Sequence, residues 1–194
     1  MLDAATAAGS VLAALGLSGA AGLNAWIPLL AVGLLSRAGQ LELGEGYDAL
    51  ASTPGLIVLG VLFALDFVGD KVPAVDSLLH AAGSVVHPVA GAIAFASPTE
   101  VPTDIPSLVR FAIGATLAGS LHATRATIRP ASTTLTAGAG NPLLSLGEDL
   151  GSAVLSVLAV LVPVLGAVGL IVLAAIAVLW WRRIRRSRRP RPLP

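Results

Sequence analysis

The sequence predicts an all-α fold, a polytopic transmembrane helix bundle of about six spans, and three observations carry that prediction. Of 194 residues, 55% are hydrophobic and the mean hydropathy is +0.86. Only 12% are charged, against about 25% in soluble domains. The apolar residues also fall into stretches near the roughly 20 residues that cross a hydrocarbon core. Aromatics make up just 4%, so aliphatic side chains and 21 glycines supply the apolar mass. A water-soluble globule of this size has no interior large enough to hide that surface. Composition therefore excludes a soluble enzyme, a nucleic-acid module and a disordered chain.

The first span is expected within residues 8–36, interrupted by Gly19, Gly22, Asn24 and Pro28. Met1-Leu2-Asp3 lacks a basic leader region, so this segment reads as a retained helix and not a cleaved signal. A polar loop with Glu42, Glu45 and Asp48 follows. Residues 55–69 make a second, short span, residues 77–97 a third and residues 107–127 a fourth, with the acidic loop of Glu100 and Asp104 before the last. The stretch 130–142 is rich in Ser, Thr and Gly. Residues 143–181 are too long for one helix, and Pro163 near their middle divides them into a hairpin, 143–161 and 164–181. Residues 1–181 are thus expected to form one transmembrane domain and residues 182–194 an arginine-rich cytoplasmic tail.

Charge sets the expected orientation. The net charge of +1 conceals seven arginines in the last thirteen positions, from Arg182 to Arg191. Basic residues favour the cytoplasmic side, so the tail places the C-terminus inside, and six spans place the N-terminus there too. Lys71, Arg125 and Arg129 fall in expected inner connections, and the acidic loops 38–54 and 98–106 in outer ones. Only Arg37 dissents. The tail is expected to meet anionic lipid headgroups at about 1 kcal/mol per basic residue; without interleaved aromatics it does not read as a nucleic-acid binder. Homo-oligomerisation is left open. Two oppositely inserted sets of three spans would form an inverted repeat with interrupted helices.

Three Gly/Ala-rich stretches carry a proline beside Asn or His: Asn24 to Pro28, His87-Pro88 and Asn141-Pro142. Each proline frees the carbonyl four residues back, and unpaired backbone at membrane depth must be buried or line a cavity. The three breaks are expected to converge on one cavity. Around it the sequence offers two polar clusters. Asp66 and Asp70 share a helical face ahead of Lys71, with Asp76, His80 and His87 beyond Pro73. His122, Arg125 and Arg129 form a basic stripe that runs into the Gly/Ser/Thr stretch and Asn141, a pattern suited to an anion at a helix N-terminus. Glu148 and Asp149 follow, placed to face the arginines or to carry a proton or cation.

The competing reading is structural: five acids and four bases that pair off inside the bundle. A metal site from Asp76, His80 and His87 has the spacing but lacks a fourth ligand. Hydrolase, zinc-protease and phosphate-loop motifs are missing from the sequence, as is any cysteine; no cofactor, metal or catalytic residue is expected, and an intramembrane enzyme ranks third.

The segments Gly22-Leu23-Asn24-Ala25-Trp26-Ile27-Pro28, Asp70-Lys71-Val72-Pro73-Ala74-Val75-Asp76 and Val86-His87-Pro88-Val89-Ala90-Gly91-Ala92, with His122 to Pro142, Ser145 and Glu148-Asp149, carry a resemblance over residues 8–160. The chain resembles the domain-of-unknown-function family four-one-two-six of small multi-pass membrane proteins. The resemblance implies a bacterial inner-membrane location and assigns no reaction. The leading expectation is a small transporter or channel-like protein for an anionic solute or a phosphate-bearing lipid, with Asn24, Asp66, Asp70, Lys71, His87, His122, Arg125, Arg129, Asn141 and Glu148 at its binding site. The alternative is a non-transporting scaffold whose charges pair.

Overall fold

The computed structural model describes residues 4–70, 73–98, 101, 105–136 and 140–187. Among them are eight helices and one isolated antiparallel bridge, Leu43 with Pro98. The helices are α1 (Ala4–Leu23), α2 (Trp26–Arg37), the single turn α3 (Asp48–Ala51), α4 (Thr53–Gly69), α5 (Pro73–Ala96), α6 (Ser107–Thr136), α7 (Asn141–Leu161) and α8 (Pro163–Ser187). The all-helical expectation is met.

Local chemistry sets most boundaries. Ser52 caps α4, its Oγ accepting from Gly55 N at 3.0 Å, with a proline in the first turn. Pro163 splits the last apolar run, and α7 packs back against α8 as the expected hairpin. Two boundaries differ from expectation. Helix α6 continues nine residues beyond 127 through the Ser/Thr stretch, because its hydroxyls bond back into the helix: Thr124 Oγ1 to Ser120 O at 2.9 Å and Thr136 Oγ1 to Ser132 O at 2.8 Å. Helix α8 runs on into the arginine run as far as Ser187, where positive charge suits the negative end of the helix dipole.

The main correction concerns residues 8–36, which do not form one kinked span. Ala14 packs with Phe95 and Val101. Four residues further along α1, Ser18 Oγ lies 3.0 Å from Gly91 O, and then Ala21 O lies 2.6 Å from His87 Nδ1. Helix α1 therefore runs against α5. Helix α2 starts at Trp26, level with His87. It ends where Arg37 donates to Ala51 O at 2.5 Å and Thr53 Oγ1 at 2.6 Å, and the loop beyond meets the end of α5, with Gly44 N 2.8 Å from Ser97 O. So α2 runs with α5 and against α1. The two helices are a hairpin that turns at Asn24 and Ala25.

Helices α1, α2, α4, α5, α6, α7 and α8 alternate in direction among the described residues. Gly16 and Gly19 of α1 lie against Gly166 and Leu170 of α8, so α1 and α8 run parallel. Helix α1 begins at the end of the bundle that carries the loops at 43–44 and 97–98, and α8 finishes at the other end.

The interior is built from small and polar residues. Ala13, Ala14, Ala20, Ala21, Ala90, Ala94, Ala118 and Ala159 are buried, as are Ser18, Ser145, Ser152 and Ser156. Small residues allow close backbone approach: a methyl group at Gly22 would sit 2.6 Å from Leu121 Cβ and 2.8 Å from the Ala118 carbonyl oxygen. Many large apolar side chains point outward, as on α4 (Ile57, Val61, Leu65, Val68) and α8 (Val164, Val168, Ile171, Val172, Leu179), while Leu17, Leu29, Val32 and Phe95 are buried. Water-soluble domains distribute these classes the other way.

Candidate functional site

The α1–α2 turn lies inside the bundle, and its backbone needs are met by other helices. A helix end leaves its last carbonyls without partners. Here Ala20 O accepts from Asn24 N at 3.1 Å and also from Ser152 Oγ (α7) at 2.9 Å, and Ala21 O accepts from His87 Nδ1 (α5) at 2.6 Å. Gly22 O and Leu23 O both accept from Arg125 Nη1 (α6), the former at 3.4 Å. On the other side of the turn, Pro28 has no N–H to offer the Asn24 carbonyl. The Asn24 side chain caps α2 instead, its Oδ1 accepting from Trp26 N at 2.9 Å and Ile27 N at 3.2 Å.

The Asn24 amide nitrogen faces the opposite way, into a cluster of acids. It donates to Asp149 Oδ1 (α7) at 2.9 Å and to Asp66 Oδ2 (α4) at 3.2 Å. Asp70, one turn beyond Asp66, accepts from Ser145 Oγ. The second oxygen of Asp149 is buried and has no hydrogen-bond partner among the described residues. Arg125 faces the same space, but its Nη2 is committed to Glu148 Oε2 at 2.5 Å. His87 and His122 stack with ring centroids 4.2 Å apart. A carbonyl can only accept, so His87 carries its proton on Nδ1, and Nε2 is turned toward Arg125 Nη1 at 3.5 Å.

Asn24, Asp66, Asp70, Leu79, His87, His122, Arg125 and Asp149 line one partly open cavity. It leaves about 20 Å³ for the centres of water-sized molecules, enough for one or two waters (each needs at least about 10–15 Å³). Three carboxylates face it, and the one described cation is already paired. The space is large enough for a proton or a hydronium ion among these groups.

Six residues expected at the site from sequence thus converge: Asn24, Asp66, Asp70, His87, His122 and Arg125. Glu148 stands behind them, holding Arg125 and lining a separate groove between α6, α7 and α8. Asn141 does not line the cavity; it opens α7, with Pro142 in the first turn, where a missing N–H costs nothing. Pro88 lies within an unbroken α5. Of the three prolines expected to interrupt helices at a shared cavity, only Pro28 does so. Lys71 lies outside the described residues, as do the side chains of Arg129, Asp76 and His80; among the described residues no group of three His, Asp or Glu side chains is placed to hold a metal.

Asp149 is the residue sequence reasoning undervalued. Its signal was present: Ser145, Asp149, Ser152 and Ser156 follow at helical spacing and are all buried, a polar stripe along an otherwise apolar helix.

The family described as a domain of unknown function (DUF4126) matches residues 11–183. The chain belongs to this family. The match reaches beyond the expected 8–160 and takes in α8 up to the second arginine of the tail. No curated protein and no solved structure matches the chain.

Proposed function

We propose that this DUF4126 protein is a small integral membrane transporter whose acidic cavity takes up a cation, the proton being the simplest occupant. The observation that carries the reading is the convergence of Asp66, Asp70 and Asp149 on a buried helix turn while Arg125 is held by Glu148. Ionisable groups at membrane depth are costly and mark ion or proton paths. Turns between helices at that depth supply ligands for coupling ions.

Membrane insertion is supported by two helices long and apolar enough to cross, Asn141–Leu161 with hydropathy 1.6 and Pro163–Arg183 with hydropathy 2.5. The outward-facing apolar side chains on α4 and α8 add to that support. The arginine end of α8 is assigned to the cytoplasmic face of the bacterial inner membrane, and the end carrying the loops at 43–44 and 97–98 to the outer face. In this reading the anionic solute and the phosphate-bearing lipid expected from the basic stripe give way to a cation, because Arg125 of that stripe is paired with Glu148.

A scaffold reading has one observation in its favour: every polar atom of the Asn24 side chain is bonded within the chain. Proton flux separates the two. Purified protein is reconstituted into vesicles containing a pH-sensitive dye, and a pH step is imposed with potassium and valinomycin clamping the potential. The transporter reading expects acidification several times faster than in empty vesicles, falling to background with Asp149→Asn. Wild-type vesicles indistinguishable from empty ones would support the scaffold instead.

A further inference from the structure

Helix α6 makes little direct contact with α7 or α8, and the gap between the three is a groove of about 310 Å³, within the range of about 300–1,000 Å³ typical of small-ligand sites. Leu121 of α6, Leu143 of α7, and Leu173 and Ile176 of α8 form its walls, with Gly147 and Gly151 of α7 between them. A methyl group at Gly147 would meet nothing within 4 Å. The paired Arg125 and Glu148 form the inner wall. Thr124 also borders a second space, of about 380 Å³, with Thr127 of α6 and Val178 and Trp181 of α8. The two spaces follow one another along α6 and α8, towards the arginine end of α8. Arg183 stands seven residues beyond Ile176, two turns on and on the same face of the helix. Arg182 and Arg183 are both exposed.

We infer that this groove holds one acyl chain of an anionic phospholipid from the cytoplasmic leaflet, its headgroup resting on Arg182 and Arg183. The inference rests on the membrane orientation proposed above, and it concerns a resident lipid, not the transported ion. Lining and charge together select the occupant. The walls are mostly aliphatic, and the threonines along them donate into their own helix, Thr124 Oγ1 to Ser120 O at 2.9 Å and Thr127 Oγ1 to Thr124 O at 2.7 Å. Such a surface suits a hydrocarbon chain, and the glycines of α7 let the chain lie close against the helix backbone. Arg125 and Glu148 are joined to each other at 2.5 Å, so the charge that selects a headgroup lies at the arginine end. A guanidinium takes a phosphate through paired N–H donors, and basic residues at the membrane surface favour lipids of net negative charge over zwitterionic ones.

Photoreactive lipids test this in the full-length protein, reconstituted into phosphatidylcholine vesicles. A trace of phosphatidylglycerol or of phosphatidylcholine, each with a diazirine midway along one chain, is added before illumination, and labelled peptides are mapped by mass spectrometry. The exposed face of α4 at Ile57, Val61 and Leu65 reports ordinary boundary lipid and normalises the two probes. Residues 143–151 and 173–176 should be labelled at least about fivefold more by the phosphatidylglycerol probe. Gly147→Phe, which puts a ring where the chain would lie, should bring groove labelling by both probes down to the level of α4. Its melting temperature should stay at or above wild type, because glycine is unfavourable inside a helix. Arg182→Gln combined with Arg183→Gln should bring the ratio of the probes close to one. Equal groove labelling by the two probes in the wild type overturns the proposal whatever the variants do, and so does a preference that survives the double arginine replacement. No labelling of α4 would refute the membrane reading itself; labelled α4 with a groove indifferent to headgroup would refute this inference alone.

Discussion

Arg125 does more structural work than any other single side chain near the cavity. It bonds two carbonyls at the end of α1 and pairs with Glu148, while its side chain is only 11% exposed. Removing one partner of such a pair leaves the other charge buried, at a cost of about 3–5 kcal/mol. Arg125→Gln should therefore lower the melting temperature in detergent sharply, and adding Glu148→Gln should recover part of the loss. Full recovery is not expected, because the α1 carbonyls stay uncapped. No change in stability on Arg125→Gln would show that the pair and the caps contribute little. A complementary change is Asn24→Ala, which removes the α2 cap and the bridge between Asp66 and Asp149. Loss of a cap alone costs about 1 kcal/mol; a loss no larger than that would mean that the carboxylate bridge adds nothing. The acids and histidines of the site were legible in sequence because charge inside apolar segments stands out. The partner of Arg125 was only half legible: Glu148 and Asp149 were both visible as neighbours, but which one meets the arginine depends on the rotation of α7, and helical spacing does not fix rotation against a neighbour.

At the scale of elements, most boundaries could be read from proline, glycine and loop composition: α4, α5, α7 and the start of α8 lie within a few residues of expectation. Helix α6 was cut short in the sequence reading because Ser and Thr read as loop formers, whereas inside a bundle their hydroxyls can return to the helix backbone. The α1–α2 hairpin was missed for a different reason. Pro28 signals a break, but a kink and a reversal leave the same mark in sequence, and only the contacts of α1 and α2 along α5 decide between them; α1 itself is held by Gly16, Gly19 and Gly22 against α7, α8 and α6. That packing makes a prediction. Gly22→Ala places a methyl group 2.6 Å from Leu121 Cβ and 2.8 Å from a backbone oxygen, so α6 must move away. We expect destabilisation of about 1–3 kcal/mol. Gly60→Ala in α4 meets nothing within 4 Å and serves as the control, with a melting temperature at or above wild type. Equal effects of the two substitutions would mean that the close approach of α1 and α6 is not needed.

For the whole molecule, composition was enough to read a helix bundle, but the hairpin was not legible in it. Counting apolar stretches gives six, whereas the first stretch holds two antiparallel helices. The start of α1 and the end of α8 therefore lie at opposite ends of the bundle. The account stands on that hairpin, since it is what brings Asn24 to the three carboxylates. Single cysteines in this cysteine-free chain test it directly. Ala8→Cys, Glu45→Cys and Arg183→Cys are each exposed positions and can be probed with a membrane-impermeant maleimide on intact cells. The account predicts that Cys at 8 and at 45 is labelled from outside, and that Cys at 183 is labelled only after the membrane is opened. Cys at 8 and at 183 reacting from the same side would contradict it, because a single kinked span would then have replaced the hairpin.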